Sequence, residues 1–232
     1  MKTIFSLIVV LSLAFMVYEK NKTSIINEVK NVTETIESGG GTNQNSNNTQ
    51  EVVEHSQEAI NYFGEVCEGF EYSSNKQVMK WDTDVKVYVR GQKPDYLMAE
   101  LESIVDELNS YINPIDIKFV NSESDANFVI MFSSASDYVS YEPFASSYVA
   151  HNWGMFVIAG NTSIVRASMY VDIVRCSDID GQKHLLREEF TQGLGLKNDS
   201  NTYPESMFYQ GWTTTTEYAP IDVEIIKMLY NE

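Results

Sequence analysis

The stretch Arg187-Glu188-Glu189-Phe190-Thr191-Gln192-Gly193-Leu194-Gly195-Leu196-Lys197-Asn198-Asp199-Ser200 decides how the rest of the chain is read. Together with His184-Leu185-Leu186 it predicts a helix that follows Cys176-Ser177-Asp178 and breaks at Gly193 or Gly195, where glycine tolerates the backbone of a helix end. On such a helix Glu188 and Gln192 share one face, and His184 continues their stripe one turn earlier.

Upstream, Val85, Val87 and Val89 alternate with Lys86 and Tyr88 and predict a half-buried strand ending at Gly91. After Pro94, the apolar residues Leu97, Leu101, Ile104, Val105, Leu108, Tyr111 and Ile112 follow the helical period until Pro114 ends it. Ile115, Ile117 and Phe119 alternate as a second strand. Asn127 to Phe132 is almost continuously apolar, as a central strand covered on both faces would be. Two further strand-like runs flank the turn residues Gly160 and Asn161 within Met155 to Val174. Downstream, Pro220 suits a first helical position, and Ile221, Ile225, Met228 and Leu229 form one stripe of a closing helix. The order predicts an α/β (α+β) domain with a mixed, mostly parallel sheet.

Composition bounds the function classes. The net charge of −17 excludes nucleic acid as a partner, since a duplex requires a Lys/Arg stripe. The 14 tyrosines and 11 phenylalanines supply a core that a disordered chain lacks. Cys67 and Cys176 leave two readings open, one long-range disulfide in an oxidising compartment or two buried thiols that never meet.

Residues 1–18 hold an uncharged apolar run, Ile4 to Tyr18, behind Lys2, which is the layout of a signal peptide or an N-terminal membrane anchor. The run is shorter than the ~20 residues of a bilayer span, and no cysteine follows it to carry a lipid. Residues 19–60 are rich in Asn, Gly and Ser and read as a flexible spacer, which leaves 61–232 as the folded domain. The layout predicts export, to a bacterial envelope or beyond it.

The C-terminal motifs resemble the bacterial family catalogued as domain of unknown function 2927. That family shows a Glu-Glu-x-Thr-Gln-x-x-Gly-Leu-x-Asn-Asp run, a Ser-x-Phe-type segment and a final Leu-Tyr helix. The matching pieces are Glu188 to Gln192, Gly195 to Asp199, and Met228-Leu229-Tyr230, within a likeness over about residues 78–232. A more distant resemblance is to metzincin metalloproteases, whose motif is H-E-x-x-H-x-x-G-x-x-H followed by a methionine turn. Matching Leu194-Gly195-Leu196 to that motif puts Glu188, Gln192 and Asn198 at the three zinc-ligand positions and Glu189 at the general base. Ser206-Met207 then stands at the methionine turn. The resemblance implies a zincin fold with an antiparallel edge strand.

One carboxylate with two amide oxygens is a poor zinc set. It suits hard cations such as calcium or magnesium, and even these need Asp199 or Glu189 to add charge. Zinc is therefore not expected, nor any other resident cofactor, and without zinc Glu189 has no acidified water to act on. Glu188, Gln192 and Asn198 instead predict a hydrogen-bonded network in the place of a metal. His184 is read as a packed residue, His55 falls in the spacer, and His151 falls in a loop beside Trp153. Tyr203 and Tyr209 are candidate proton donors of a working site. The expected function is an exported, non-catalytic binding or structural module with an unknown protein or envelope partner. The alternative is a hydrolase with an oxygen-ligated cation and Glu189 as base.

Overall fold

In the computed structural model, which describes residues 55–69 and 77–231, the valine alternation becomes strand β1, Val85–Arg90, with Val85, Val87 and Val89 buried. The leader and all but the last residues of the spacer lie outside the described residues. Among the described residues no helix is long and apolar enough to cross a membrane.

Four more strands complete one sheet: β2 (Ile117–Phe119), β3 (Phe128–Ser133), β4 (Gly154–Gly160) and β5 (Ile164–Asp172), in the order β2-β1-β3-β5-β4. β2, β1, β3 and β5 run parallel, with Val87 opposite Phe119 and Phe128, and Ile130 opposite Met169. β4 turns back beside β5, antiparallel, and forms the edge. All six residues of β3 are buried, as a continuous apolar run in a sheet centre requires. The fold is thus α/β with a mostly parallel sheet and an antiparallel edge strand.

Among the described residues five α-helices pack around it: α1 (Gln57–Cys67), α2 (Asp95–Tyr111), α3 (Ala135–Tyr141), α4 (Ile179–Gln192) and α5 (Pro220–Asn231). α2 buries Leu97, Leu101, Ile104, Val105 and Leu108, the expected stripe. α1 differs from expectation. It starts inside the stretch read as spacer, with the Ser56 hydroxyl accepting from the Ala59 N–H at 3.1 Å as its N-cap. Phe119 also departs from the predicted alternation and is 42 % exposed on the edge strand β2.

α4 begins at the Asp178 cap, whose carboxylate accepts from the Gly181 N–H at 3.1 Å. Its buried face sets Phe190 on Phe128 at 4.9 Å between ring centroids, and Trp81 lies on the other side of Phe128 at 6.3 Å. The helix ends at Gly193, and the chain reverses at Gly195, where φ is +123° and a Cβ would stand 2.2 Å from the Met79 carbonyl oxygen. Only glycine fits there.

The chain then returns through the turn at Ser206-Met207. Asp222, buried in the first turn of α5, fixes that turn by accepting from Met207 N at 2.8 Å and Ser206 Oγ at 2.6 Å. It also accepts from Ala219 N at 2.9 Å. Tyr62 of α1 completes the knot by donating to Ser206 Oγ at 2.6 Å. Cys67 and Cys176 are both buried free thiols.

Removing the Asp222 carboxylate strands two buried N–H donors, each costing about 1–3 kcal/mol. Asp222→Ala should therefore lower the melting temperature by roughly 5–15 °C for a domain of this size, with Asp222→Asn in between. Circular-dichroism melting reads the effect, and a wild-type melt for Asp222→Ala would show that the knot is not holding α5.

Candidate active site

A cleft of about 980 Å³ runs between the edge strand β4 and helix α4, closed at one end by the loop that carries Tyr209 to Trp212. Its wall is β4 itself, from Gly154 to Ile158, and its floor is the His184, Glu188 and Gln192 stripe of α4 with Leu185 and Glu189. The i, i+4 spacing of the helix is what aims this stripe at one place.

His184 is 3 % exposed. Its Nδ1 lies 2.8 Å from the Thr215 carbonyl oxygen, which only accepts, so Nδ1 carries the proton. Nε2 is left with its lone pair, 3.5 Å from Thr213 Oγ1 and 3.6 Å from Glu188 Oε2. Burial lowers the imidazole pKa, and the Thr215 hydrogen bond only partly offsets it. Glu188 moves the opposite way. Burial first, and the neighbouring Asp199 carboxylate second, hold its pKa well above the ordinary carboxylate range. Both shifts favour the uncharged form of each partner, and the two groups face each other at 3.6 Å.

Gln192 donates from Nε2 to Asp199 Oδ1 at 2.7 Å. Asn198 does not join them. Its Nδ2 donates to the carbonyls of Glu65 and Glu68 at the end of α1, at 3.2 and 2.8 Å, and it does not line the cleft. The network expected from Glu188, Gln192 and Asn198 is therefore corrected in its third member: Asp199 faces the cleft. The two neighbours lie in the loop after α4, and their side chains take different directions. Met207 is also displaced from its expected role. It is fully buried in the main core and does not line the cleft.

Glu189 is 8 % exposed rather than solvated, and it rests against the start of β4. A Cβ on Gly154 would fall 2.6 Å from its Oε1, so the absent side chain leaves the space it fills. Lys197 lines the cleft with its ammonium donating to the Gln77 carbonyl at 2.7 Å, and burial lowers its pKa to about 8. Tyr209 is at the cleft, whereas Tyr203 packs edge-on against Tyr62 at 4.9 Å. His151 lines the cleft, and His55 lies 3.6 Å from Glu224 on α5.

Zinc does not fit this donor set. The first ligand position is a carboxyl that burial pushes towards its protonated form, the second is an amide engaged with Asp199, and the third faces another helix. Among the described residues no three His, Cys, Asp or Glu side chains are arranged to hold a metal ion.

The cleft also contains two residues that no motif or period marks. Trp153 and Trp212, 40 % and 58 % exposed, meet edge to face at 5.7 Å, and Trp212 borders the His184 ring at 6.2 Å. Their only signal was an aromatic residue in a loop.

The buried acid has a pH signature. The unfolded chain releases the Glu188 proton near pH ~4.3, while the folded chain keeps it to a higher pH. Folding therefore loses stability as pH rises from about 4.3 through that raised value, and below about pH 4 the two states bind the proton alike. Glu188→Gln removes the loss. The variant should melt above wild type at pH 8, with the gap closing towards pH 4; a gap that ignores pH would rule out a buried neutral acid.

Residues 56–232 match the family described as "Protein of unknown function (DUF2927)". No curated protein matches the chain. Among solved structures, one of myroilysin is similar at 13% identity over 66% of this chain and 96% of that one, with a TM-score of 0.42. A second structure of myroilysin covers 72% of this chain and 95% of its own at 13% identity, with a TM-score of 0.41. By the match from residue 56 to its last residue, this chain belongs to the DUF2927 family.

Proposed function

We propose that the domain is a non-catalytic binding module that takes an extended polypeptide segment in the cleft beside β4. The observation that carries this reading is the floor of the cleft: an imidazole tied to the Thr215 carbonyl, a carboxyl that burial pushes towards its protonated form and an amide tied to Asp199 stand where a hydrolytic metal would need anionic or imidazole ligands. Such a floor can bind and orient, but it supplies no Lewis acid and no acidified water for Glu189 to deprotonate. β4 has a hydrogen-bonded neighbour on one side only among the described residues, and the cleft runs along its other edge. An extended segment can add there as a further strand, with its side chains entering the cleft alternately. The hydrophobic leader and polar spacer favour an exported domain held at, or released from, the envelope, where the segment would come from a surface or envelope protein.

A second reading is favoured by one feature, the adjacency of Glu188 and Asp199. A hard cation could draw both as carboxylates, with Glu189 beside it as the base of a hydrolase.

One experiment separates the two. The purified protein is incubated with a random peptide library, with and without added calcium, magnesium, manganese or zinc, and retained and cleaved peptides are identified by mass spectrometry. Retention without cleavage under every condition is expected. Metal-dependent cleavage that Glu189→Gln abolishes would establish the hydrolase and reject the binding module.

A further inference from the structure

The chemistry of the cleft narrows what the segment must carry. Three of its lining residues are acidic, Glu188, Glu189 and Asp199, and one is a lysine whose ammonium is turned to the Gln77 carbonyl. Above them stand the two tryptophans. Trp212 borders His184, which in turn is 3.6 Å from Glu188. Trp153 directly precedes Gly154, against which Glu189 is packed. The aromatic corner and the acidic residues thus border one space. Phe144, 64 % exposed, lines the same cleft, so three of the eight large hydrophobic residues exposed among the described ones gather here. Exposed aromatic surface concentrated in one concavity marks a ligand face. The ligand that satisfies both walls has an apolar stem and a positive head. Tryptophan is the best cation–π acceptor among side chains, and carboxylates give a guanidinium or ammonium charge-assisted hydrogen bonds. The chain's charge of −17 also favours approach of a cation over an anion or a second acidic copy.

We propose that the segment bound beside β4 presents a basic side chain, arginine or lysine, which is seated between the Trp153–Trp212 corner and the carboxyl groups of Glu188, Glu189 and Asp199. This rests on the polypeptide-binding reading above and specifies its partner: an extended, basic stretch of a polypeptide. The backbone of that stretch bonds to the β4 edge, and its stem lies along the tryptophan rings. The basic head is what the floor selects.

The test uses the full chain and four decapeptides that share one β-prone sequence and differ at the central residue, which is arginine, lysine, norleucine or glutamate. Butylguanidinium serves as a cation with no backbone. Affinities are read by calorimetry at 50 mM and 500 mM salt. The arginine and lysine peptides should bind about tenfold more tightly than the norleucine peptide, and the preference should shrink at high salt. It should also be lost in Trp212→Ala and in Asp199→Asn, provided each melts like wild type. Trp153→Ala serves in place of either variant that does not. Equal affinity for the arginine, lysine and norleucine peptides would overturn the basic-residue proposal and leave the peptide cleft standing. Binding of butylguanidinium but of no peptide would overturn the proposed peptide site and keep only the cation seat. Binding of none of the probes would overturn both readings.

Discussion

Helix α4 carries every residue of the cleft floor, so the site is only as well placed as the contacts that fix that helix beneath the sheet. Three of these matter most. Phe190 is stacked on Phe128 of the central strand. The Trp81 indole N–H donates to the Gly193 carbonyl at 3.0 Å and so satisfies an orphan acceptor at the helix end. Arg187, almost wholly buried, reaches from the opposite side of α4 to Glu100 and Glu107 on α2 and lies over the Tyr218 ring at 4.7 Å. A buried guanidinium is costly to leave without its carboxylates, which ties α2 and α4 into one unit. Because the core-facing residues are close-packed, the cleft-facing stripe cannot rotate without breaking one of these contacts.

Much of the sheet and its long helices was legible because they bury regular stripes. The valines of β1, the apolar run of β3 and the heptad-like face of α2 each state their period in the sequence. α1 and α3 were not legible. α3 buries only Tyr138, and one buried side chain makes no period. α1 begins directly after an Asn- and Ser-rich run, so the polar context masked Ala59, Tyr62, Val66 and Cys67, which are buried in the core. That omission had a consequence at the site. Asn198 is turned away from the cleft by the carbonyl groups at the end of α1, and its neighbour Asp199 is thereby turned towards it. With no helix foreseen at residues 57–67, nothing in the motif spacing could distinguish the two.

The residue types on the floor also limit stranded charge. Imidazoles stripped of a metal can remain neutral, whereas a carboxylate in the same position must either be paired or take up a proton. Burial pushes Glu188 towards its protonated form and His184 towards its neutral form, which spares the floor an isolated buried charge. Asp199 is only half buried and accepts from Gln192, which lets one carboxylate of the group remain compatible with burial. The tautomer of His184 is set by the Thr215 carbonyl, in the loop ahead of α5. The loop ahead of α5 therefore sets the His184 tautomer of a stripe to which it contributes no side chain.

The edge strand presents the remaining constraint. An edge carrying Met155, Phe156, Val157 and Ile158 is a template for pairing with another copy, and natural sheets commonly blunt such edges with charge or cover. Here the protection is placed opposite the strand rather than on it. Helix α4 sets carboxyl groups across the cleft, and the Gln210 to Trp212 loop closes one end. A second copy of this chain, at −17, would bring like charge into that space. An arrangement that disfavours its own edge by electrostatics leaves the edge open to a segment of opposite sign. Solubility and selectivity thus follow from the same gathering of Glu188, Glu189 and Asp199 in the cleft beside β4.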